Sequence, residues 1–231
     1  MKRFYTSAEA QAVEGGWQVH LDGRPIRTQG GAQQVVPSEA LARMLAAEWA
    51  GQGKDIDPKA FIHRDMADFA IDAVAPDPAE TIAKLLRYAE TDTLCYRAAP
   101  EEPLFARQEA EWEPILTACE ARHGVQLPRT SGIMHQPLPD PARVGLRARL
   151  ETLNPFTLAA LLTMTSLTAS LATGLAMLEE DADDTALFAA ANLEEDWQAE
   201  LWGWDHAAQE VRAARLEAFQ RAADFLAALR R

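Results

Sequence analysis

Acidic side chains are the residues of this sequence that could most readily do chemistry, because two neighbouring carboxylates can divide general acid and general base roles. Asp65, Asp68 and Asp72 are the best-spaced set, since positions i, i+3 and i+7 share one face of a helix. The chain has 35 Asp and Glu among 231 residues, however, so close pairs say almost nothing about catalysis. A solvent-facing helix surface is the first interpretation of the three acids, and a partner surface is the second.

Other combinations with a recognisable chemistry are incomplete. Gly51-Gln52-Gly53-Lys54-Asp55 resembles the end of a phosphate-binding loop, but it lacks the first Gly at the right spacing and a Ser or Thr after Lys. The sequence contains no dinucleotide fingerprint, nucleophile elbow or His-Glu-x-x-His motif. The five histidines lie far apart, at His20, His63, His123, His135 and His206. We therefore predict no catalytic residue, no metal and no cofactor.

The composition is that of a soluble globular protein, with a net charge of −13. Nucleic acid and anionic membrane surfaces are poor partners for such an acidic chain, because both attract basic proteins. Cys95 and Cys119 are too few for a disulfide framework and are interpreted as free buried thiols in a reducing compartment. Residues 1–9 lack an apolar run, so we expect a cytoplasmic bacterial protein or a mature chain.

The negative charge is concentrated in one stretch. Residues 151–211 hold 12 acids and no Lys or Arg, whereas residues 212–231 hold five Arg and two acids. One interpretation is a solvated helix face that keeps the protein soluble. The other is an acidic patch that steers a basic partner.

Periodicity predicts an α+β protein with a small N-terminal antiparallel sheet and a helical remainder. The predicted strands are 4–13, 17–21, 24–28 and 33–36, with a further short apolar run at 93–96 that could return to the sheet. The predicted helices are 38–50, 65–74, 77–89, 101–123, 142–152, 155–178, 179–202 and 205–231. Residues 124–140 are predicted as a loop. We expect an α+β domain over 1–95 and a helical bundle domain over 96–231.

Residues 152–178 contain no charge, and this stretch is long enough to span a bilayer. It is rich in Thr and Ser, and no Lys or Arg follows closely to set an orientation. A central helix surrounded by other helices is therefore favoured over membrane insertion.

Several aromatic and polar motifs have no catalytic logic but follow one another in a distinctive order. The motifs are Leu21–Thr28, Glu48-Trp49, Ala70–Asp72, Thr91–Arg97, Gln108 with Trp112, Leu193-Glu194 and Trp202-Gly203. In this order and spacing, the chain resembles the assembly chaperones of the F-type ATP synthase that bind the α subunit of its soluble catalytic sector. The seven residues Thr91–Arg97 are the most specific match. The stretch His63–Asp68 and the chain after Gly203 depart from the family pattern.

The resemblance implies an ATP-independent chaperone that holds the unassembled α subunit until the β subunit replaces it. It also implies the two-domain division given above, a bacterial cytoplasmic or mitochondrial matrix location, and a monomer without stable membrane insertion. The expected partner-binding residues are Glu194, Glu195, Asp196 and Trp202. The resemblance points first to Glu194, whose alternative role is to cap a neighbouring helix or brace it through an Arg, and Glu195 and Asp196 extend the same acidic patch. The expected structural motif residues are Trp49, Asp72, Thr91, Asp92, Tyr96, Arg97 and Trp112.

Two other functional classes stay open at this point. One is a hydrolase that uses paired carboxylates, which would need a deep pocket holding carboxylates of raised pKa. The other is an acidic scaffold or membrane-associated protein that uses residues 152–178.

Overall fold

The computed structural model describes residues 1–132 and 134–230, and the chain forms two compact units. Unit 1 comprises Met1–Pro78, Asn154–Ala160 and Arg221–Arg231, and unit 2 comprises Ala79–Leu153 and Leu161–Gln220. Each unit thus combines separate stretches of sequence. The expectation that residues 1–95 and 96–231 are separate domains stays a prediction.

Unit 1 contains the predicted N-terminal sheet. Its antiparallel strands are β1 (Ala8–Val13), β2 (Gly16–Leu21), β3 (Arg24–Pro25) and β4 (Val35–Val36). β2 is the central strand, because it pairs with the other three. Gly15 has a φ of 86°, which a tight β1–β2 turn requires and which glycine adopts without strain. The first, third and fourth strands are shorter than predicted.

Ten α-helices are present among the described residues, and with the sheet they confirm the α+β class. They are α1 (Glu39–Ala50), α2 (Ile62–Phe69), α3 (Pro78–Glu90), α4 (Pro103–His123), α5 (Asp140–Glu151), α6 (Pro155–Thr168), α7 (Leu171–Ala176), α8 (Asp184–Ala191), α9 (Leu193–Trp202) and α10 (His206–Leu229). α1 lies on the sheet and buries Leu41, Leu45 and Trp49. Its first turn is capped by Ser38, whose Oγ accepts from the Leu41 N–H at 3.2 Å.

The single helix predicted over 155–178 is wrong. α6 ends at Thr168, Ala169 adopts a left-handed conformation with a φ of 49°, and Ser170 caps the new helix α7. Similarly, the helix predicted over 179–202 is two helices, α8 and α9, which meet at Asn192. No helix in the part of the chain that the structure describes is long and apolar enough to cross a membrane.

The run at 93–96 does not return to the N-terminal sheet. Thr93–Cys95 forms a 3-10 turn, and the next two residues form β5 (Tyr96–Arg97). β5 pairs in parallel with β6 (Thr130–Ser131), which lies within the stretch predicted as a loop. This small ladder in unit 2 places Arg97 beside α4.

Candidate functional site

The three consecutive acids expected to bind a partner lie in the first turn of α9. Glu194, Glu195 and Asp196 follow Asn192, where α8 ends. Acidic side chains are favourable in a first helical turn, because the unpaired N–H groups there carry partial positive charge. Acids at the start of α9 are therefore favourable for the helix itself, whether or not they also contact a partner.

Two of the acids are paired with arginines of α10. Both guanidinium nitrogens Nε and Nη2 of Arg212 donate to the Asp196 carboxylate, at 3.2 and 2.9 Å. Arg215 donates to Glu195 at 3.2 Å and to the Asn192 side-chain oxygen at 2.6 Å. These pairs fix α9 to α10. Bracing through an Arg was the alternative role expected of Glu194, and the structure instead shows it at Glu195 and Asp196.

Glu194 has a different surrounding. Its Oε1 accepts from the Gln108 amide Nε2 at 2.8 Å, and no arginine or lysine pairs with it among residues 1–132 and 134–230. Protein atoms around the carboxylate exclude part of its water and raise the Glu194 pKa above its ordinary value, against the effect of the Gln108 hydrogen bond. Glu194 is also exposed, so it remains open to a partner.

Apolar side chains are exposed where α9 leads into α10. Trp202, at the end of α9, is 78% exposed, and Leu201, Trp204 and Val211 are exposed as well. We call these four residues the α9–α10 corner. Gly203 allows the chain to turn there with a φ of 83°. Large exposed apolar clusters commonly mark a protein-binding surface, and Trp is enriched among the residues that dominate binding energy.

The Thr91–Arg97 motif has a structural explanation in unit 2. Asp92 is buried, and its two carboxylate oxygens accept from the Leu94 N–H at 3.1 Å and the Ala172 N–H at 2.9 Å. Thr93 donates its N–H and its hydroxyl to the carbonyl oxygen of Ala169, each at 3.1 Å. The motif therefore holds the break between α6 and α7 and caps α7.

Burial controls the titration of Asp92. Loss of water raises the pKa of this carboxyl to about 6, although the N–H donors and the Ser170 hydroxyl act in the opposite direction. Thr91 contributes a backbone N–H to the Tyr88 carbonyl oxygen, at 3.3 Å.

Arg97, the last residue of the Thr91–Arg97 motif, holds α4 through ion pairs. The buried Arg97 pairs with Glu109 and with Glu113, the latter at 2.6 Å, and Arg129 pairs with Glu113 at 2.7 Å. Hydrogen bonds from Arg129 lower the Glu113 pKa to about 2, so this carboxylate is ionised. Tyr96 lies beside them on β5, with its hydroxyl 2.9 Å from His135 Nδ1.

The acids of α2 and the turn after it bind a loop of unit 1. The Asp72 carboxylate accepts from the Thr28 hydroxyl at 2.7 Å and the Gly30 N–H at 2.8 Å. Asp68 accepts from the Gln29 N–H at 3.0 Å, and Asp65 accepts from the Gln29 side-chain amide at 2.9 Å. The solvated-face interpretation is therefore wrong for the buried Asp68 and for Asp72, which hold the loop after β3, whereas Asp65 is exposed as that interpretation expects.

Trp49 and Trp112 are core residues of different units. In unit 1, Trp49 packs against Tyr5 and Phe61, with ring centroids 5.6 and 4.5 Å away. In unit 2, Trp112 of α4 is fully buried and donates its indole N–H to the Ala190 carbonyl oxygen at 2.7 Å. Each ring secures the helix that carries it.

Two cavities lined by described residues, one in each unit, lack the features of a carboxylate-dependent active site. A cavity of about 600 Å³ in unit 1 is lined by Asp22, whose pKa lies near 2 because Ser7 and Thr6 donate hydrogen bonds to it. Asp68, Asp92 and Glu194, whose pKa values burial raises, line neither this cavity nor one of about 280 Å³ in unit 2. Within the described ranges, no three His, Cys, Asp or Glu side chains form a group that could hold a metal ion.

The predicted site residues did not include Arg212 and Arg215. Of the α9–α10 corner they included Trp202 alone. The charge pattern contained the signal for the arginines, because an uninterrupted acidic stretch is followed at residue 212 by five Arg. Adjacent helices of such opposite charge are expected to pair. Trp204 carried a partial signal, because it stands with Trp202 among acids near one helix end and Trp is enriched in binding surfaces. Leu201 and Val211 gave no comparable signal, since an apolar residue in a helix is usually buried.

Comparison with known proteins supports one family. Residues 2–120, just over half of the chain, match the family model described as ATP12 chaperone protein. The mitochondrial protein atp12 of Schizosaccharomyces pombe is 26% identical over 228 residues, which cover 91% of this chain and 76% of that protein. The crystal structure of Atp12 from Paracoccus denitrificans is 36% identical, has a TM-score of 0.93, and covers 100% of this chain and 98% of its own. A mutant of P. denitrificans Atp12p gives the same TM-score and identity, with 99% and 97% covered. The chain therefore belongs to the ATP12 family, whose members are chaperones rather than enzymes.

Proposed function

We propose that this protein binds the unassembled α subunit of the F-type ATP synthase and delivers it to the β subunit. Its membership of the ATP12 chaperone family supports a role in ATP synthase assembly. The order of its sequence motifs supports the α subunit as the particular client. A bacterial cytoplasmic location is part of the proposal, in view of the similarity to the Paracoccus protein.

The physical need for such a chaperone follows from the assembled catalytic sector, a ring in which each α subunit is buried against β subunits. A subunit that is buried against two neighbours exposes large apolar surfaces before it is assembled, and these surfaces favour aggregation. A chaperone that covers one of them prevents aggregation. If it binds less tightly than the β subunit, exchange is driven by competition and needs no hydrolysis of ATP.

The α9–α10 corner is the observation that carries the proposal. Trp202 and Leu201 are exposed without a packing role in the described structure, and an apolar client surface could bury them. Glu210 precedes Val211 on α10, and Glu194 lies at the other end of α9, about 12 Å from Trp202 along the helix axis. Acids beside the apolar corner and along α9 would orient a client with basic residues at the edge of its exposed surface.

The test is copurification of the tagged protein from its own cells. Wild type is expected to retain the α subunit without the β subunit. We expect Trp202→Ala to reduce retention about tenfold or more, as for a central binding residue. Val144→Ala is the matched control, since Val144 is also an exposed apolar residue of unit 2 but lies on α5.

The outcomes separate the client from the surface. Retention of α by wild type and the control, but not by Trp202→Ala, supports both parts of the proposal. Equal retention by all three proteins supports the client and moves its binding site away from the corner. If wild type retains no α subunit and does not slow the aggregation of purified α, the proposed function is wrong.

A further inference from the structure

The cavity of about 600 Å³ in unit 1 combines an aromatic wall with arginines. Its lining includes Phe4, Tyr5, Trp49, Arg24, Arg27 and Arg64. Most residues of the Leu21–Thr28 motif also line it. Structural roles account for Asp72, for the Thr91–Arg97 motif and for Trp112, whereas Arg24 makes no side-chain bond among the described residues and Arg27 makes one, to a backbone carbonyl.

The charge of this cavity is opposite to that of the whole chain. Asp22 is its one acidic lining residue, and hydrogen bonds from Thr6 and Ser7 already engage that carboxylate. Arg64 is paired with Asp65 at 2.7 Å. Arg24 and Arg27 have no acidic partner among the residues that the structure describes, and Arg27 donates only to the Gly31 carbonyl oxygen, at 2.8 Å.

The aromatic wall is open to a ligand at its outer end. Phe4 is 65% exposed, and its ring meets that of Tyr5 edge to face, with centroids 5.4 Å apart. Tyr5 in turn packs against Trp49, which belongs to the core of unit 1. A ligand side chain placed against Phe4 would thus rest on a rigid aromatic stack.

We propose that this cavity binds an extended acidic segment of the client polypeptide. One or more carboxylates would pair with Arg24 and Arg27, because a guanidinium offers two parallel donors to a carboxylate. A neighbouring apolar side chain of the segment would lie against Phe4. Both arginines are exposed and belong to β3 and the segment that follows it, so they can reach a chain lying along this edge of the sheet.

The site is separate in sequence from the α9–α10 corner and gives the protein a second contact with its client. The inference rests on the proposed function for the identity of that client. Charge complementarity favours an acidic peptide, since a basic segment would meet unpaired arginines.

The experiment uses an array of 15-residue peptides that tile the α subunit, together with copurification of the intact α subunit. Purified wild type, the double variant Arg24→Glu/Arg27→Glu and the control Arg87→Glu/Arg147→Glu are compared. The control makes the same charge change at exposed arginines of α3 and α5. Because all four side chains are exposed, we expect each protein to fold, which circular dichroism checks.

We expect wild type to bind a few peptides that contain Asp or Glu next to an apolar residue. Arg24→Glu/Arg27→Glu should bind these peptides about tenfold or more weakly than wild type, since reversal of charge places carboxylate against carboxylate. The affinity of the control should stay within about twofold of wild type. Two results would overturn the inference and leave the proposed function in place, both with wild type retaining intact α. In one, wild type binds no such peptide; in the other, Arg24→Glu/Arg27→Glu binds the peptides as well as wild type does. A dimer of wild type that dissociates in Arg24→Glu/Arg27→Glu would overturn it in favour of a second copy as the occupant.

Discussion

Gln108 joins α4 to α9 through a hydrogen bond whose direction is fixed. Its side-chain Oε1 accepts from the Ala98 N–H at 2.8 Å, and its Nε2 donates to Glu194 Oε1, also at 2.8 Å. Because the amide oxygen is already engaged, only the NH₂ group faces α9. Position 194 must therefore supply an acceptor, whether or not it also contacts a client.

Because Gln108 needs only an acceptor at position 194, substitutions there can test the charge of Glu194 and its hydrogen bond separately. Glu194→Gln keeps an acceptor for Gln108, so its free energy of unfolding should stay within about 0.5 kcal/mol of wild type. Glu194→Lys places a donor against a donor and should lower that free energy by about 1–2 kcal/mol. Urea unfolding measures both changes.

Copurification of the α subunit then tests the role of the charge. If Glu194 acts on the client electrostatically, the well-folded Glu194→Gln protein should retain less α than wild type. Full retention by Glu194→Gln with loss in Glu194→Lys would instead mean that the residue only positions α9. A large loss of stability in Glu194→Gln would contradict the hydrogen-bond assignment.

Gly30 is required by the close approach of the Asp72 carboxylate. A Cβ atom at position 30 would lie 2.7 Å from the Asp72 Cγ, well inside van der Waals contact. Gly30→Ala should displace the carboxylate from Thr28 and lower the free energy of unfolding by about 1–3 kcal/mol.

Gly53→Ala is the matched control for this change. A Cβ at position 53 would meet nothing closer than the Asp55 carbonyl oxygen at 3.9 Å, so the free energy of unfolding should change by less than about 0.5 kcal/mol. Equal effects of the two substitutions in urea unfolding would show that the Asp72 contact is not the cause.

The order of the elements was predictable from periodicity and turn residues, whereas the break inside residues 155–178 was not. Thr168, Ala169 and Ser170 do not have the sequence of a helix end, since Ala favours the helix interior. The break is stabilised by Asp92 and Thr93, about 75 residues earlier in the chain. Local propensity cannot report such a contact, and tertiary hydrogen bonds decide the outcome.

The candidate site was only partly predictable for a similar reason. The sequence indicated an acidic stretch with tryptophans, and the structure places Glu194 and Trp202 on one helix. The family resemblance pointed first to Glu194, but residue types and spacing did not show that Glu195 and Asp196 pair with arginines whereas Glu194 does not. That difference depends on how α9 lies against α10, and a single sequence does not contain it directly.

Trp49 and Trp202 should differ sharply in their effect on stability. Trp49 is buried against Tyr5 and Phe61, and Trp49→Ala should lower the free energy of unfolding by about 3–5 kcal/mol. Trp202→Ala removes an exposed ring and should change it by less than about 0.5 kcal/mol. Thermal and urea unfolding measure both. An unchanged thermal midpoint in Trp49→Ala would contradict its assignment to the core.

Asp92 should make the stability of the protein fall as the pH rises from about 4 to 6. Its folded pKa is about 6, above the value of about 4 expected in the unfolded chain, so the folded state keeps a proton that the unfolded state releases. The contribution is fully present below pH 4 and is lost through pH 6, by about 3 kcal/mol for a shift of about two pKa units. Asp92→Asn cannot titrate. The free energy of unfolding of wild type minus that of Asp92→Asn should therefore decrease over this range, as urea unfolding at each pH would measure.

Glu113 provides a control with the opposite sign. Its folded pKa is about 2, below its ordinary value, so its contribution to stability is present above about pH 4.5 and is lost as the pH falls toward 2. The free energy of unfolding of wild type minus that of Glu113→Gln should therefore increase with pH between 2 and 4.5. Both differences come from the same wild-type titration, so a general effect of acid cancels in each. Curves for wild type and Asp92→Asn that run parallel from pH 4 to 7 would mean that Asp92 is ionised in the folded protein throughout, with its charge held by the Ala172 and Leu94 N–H groups.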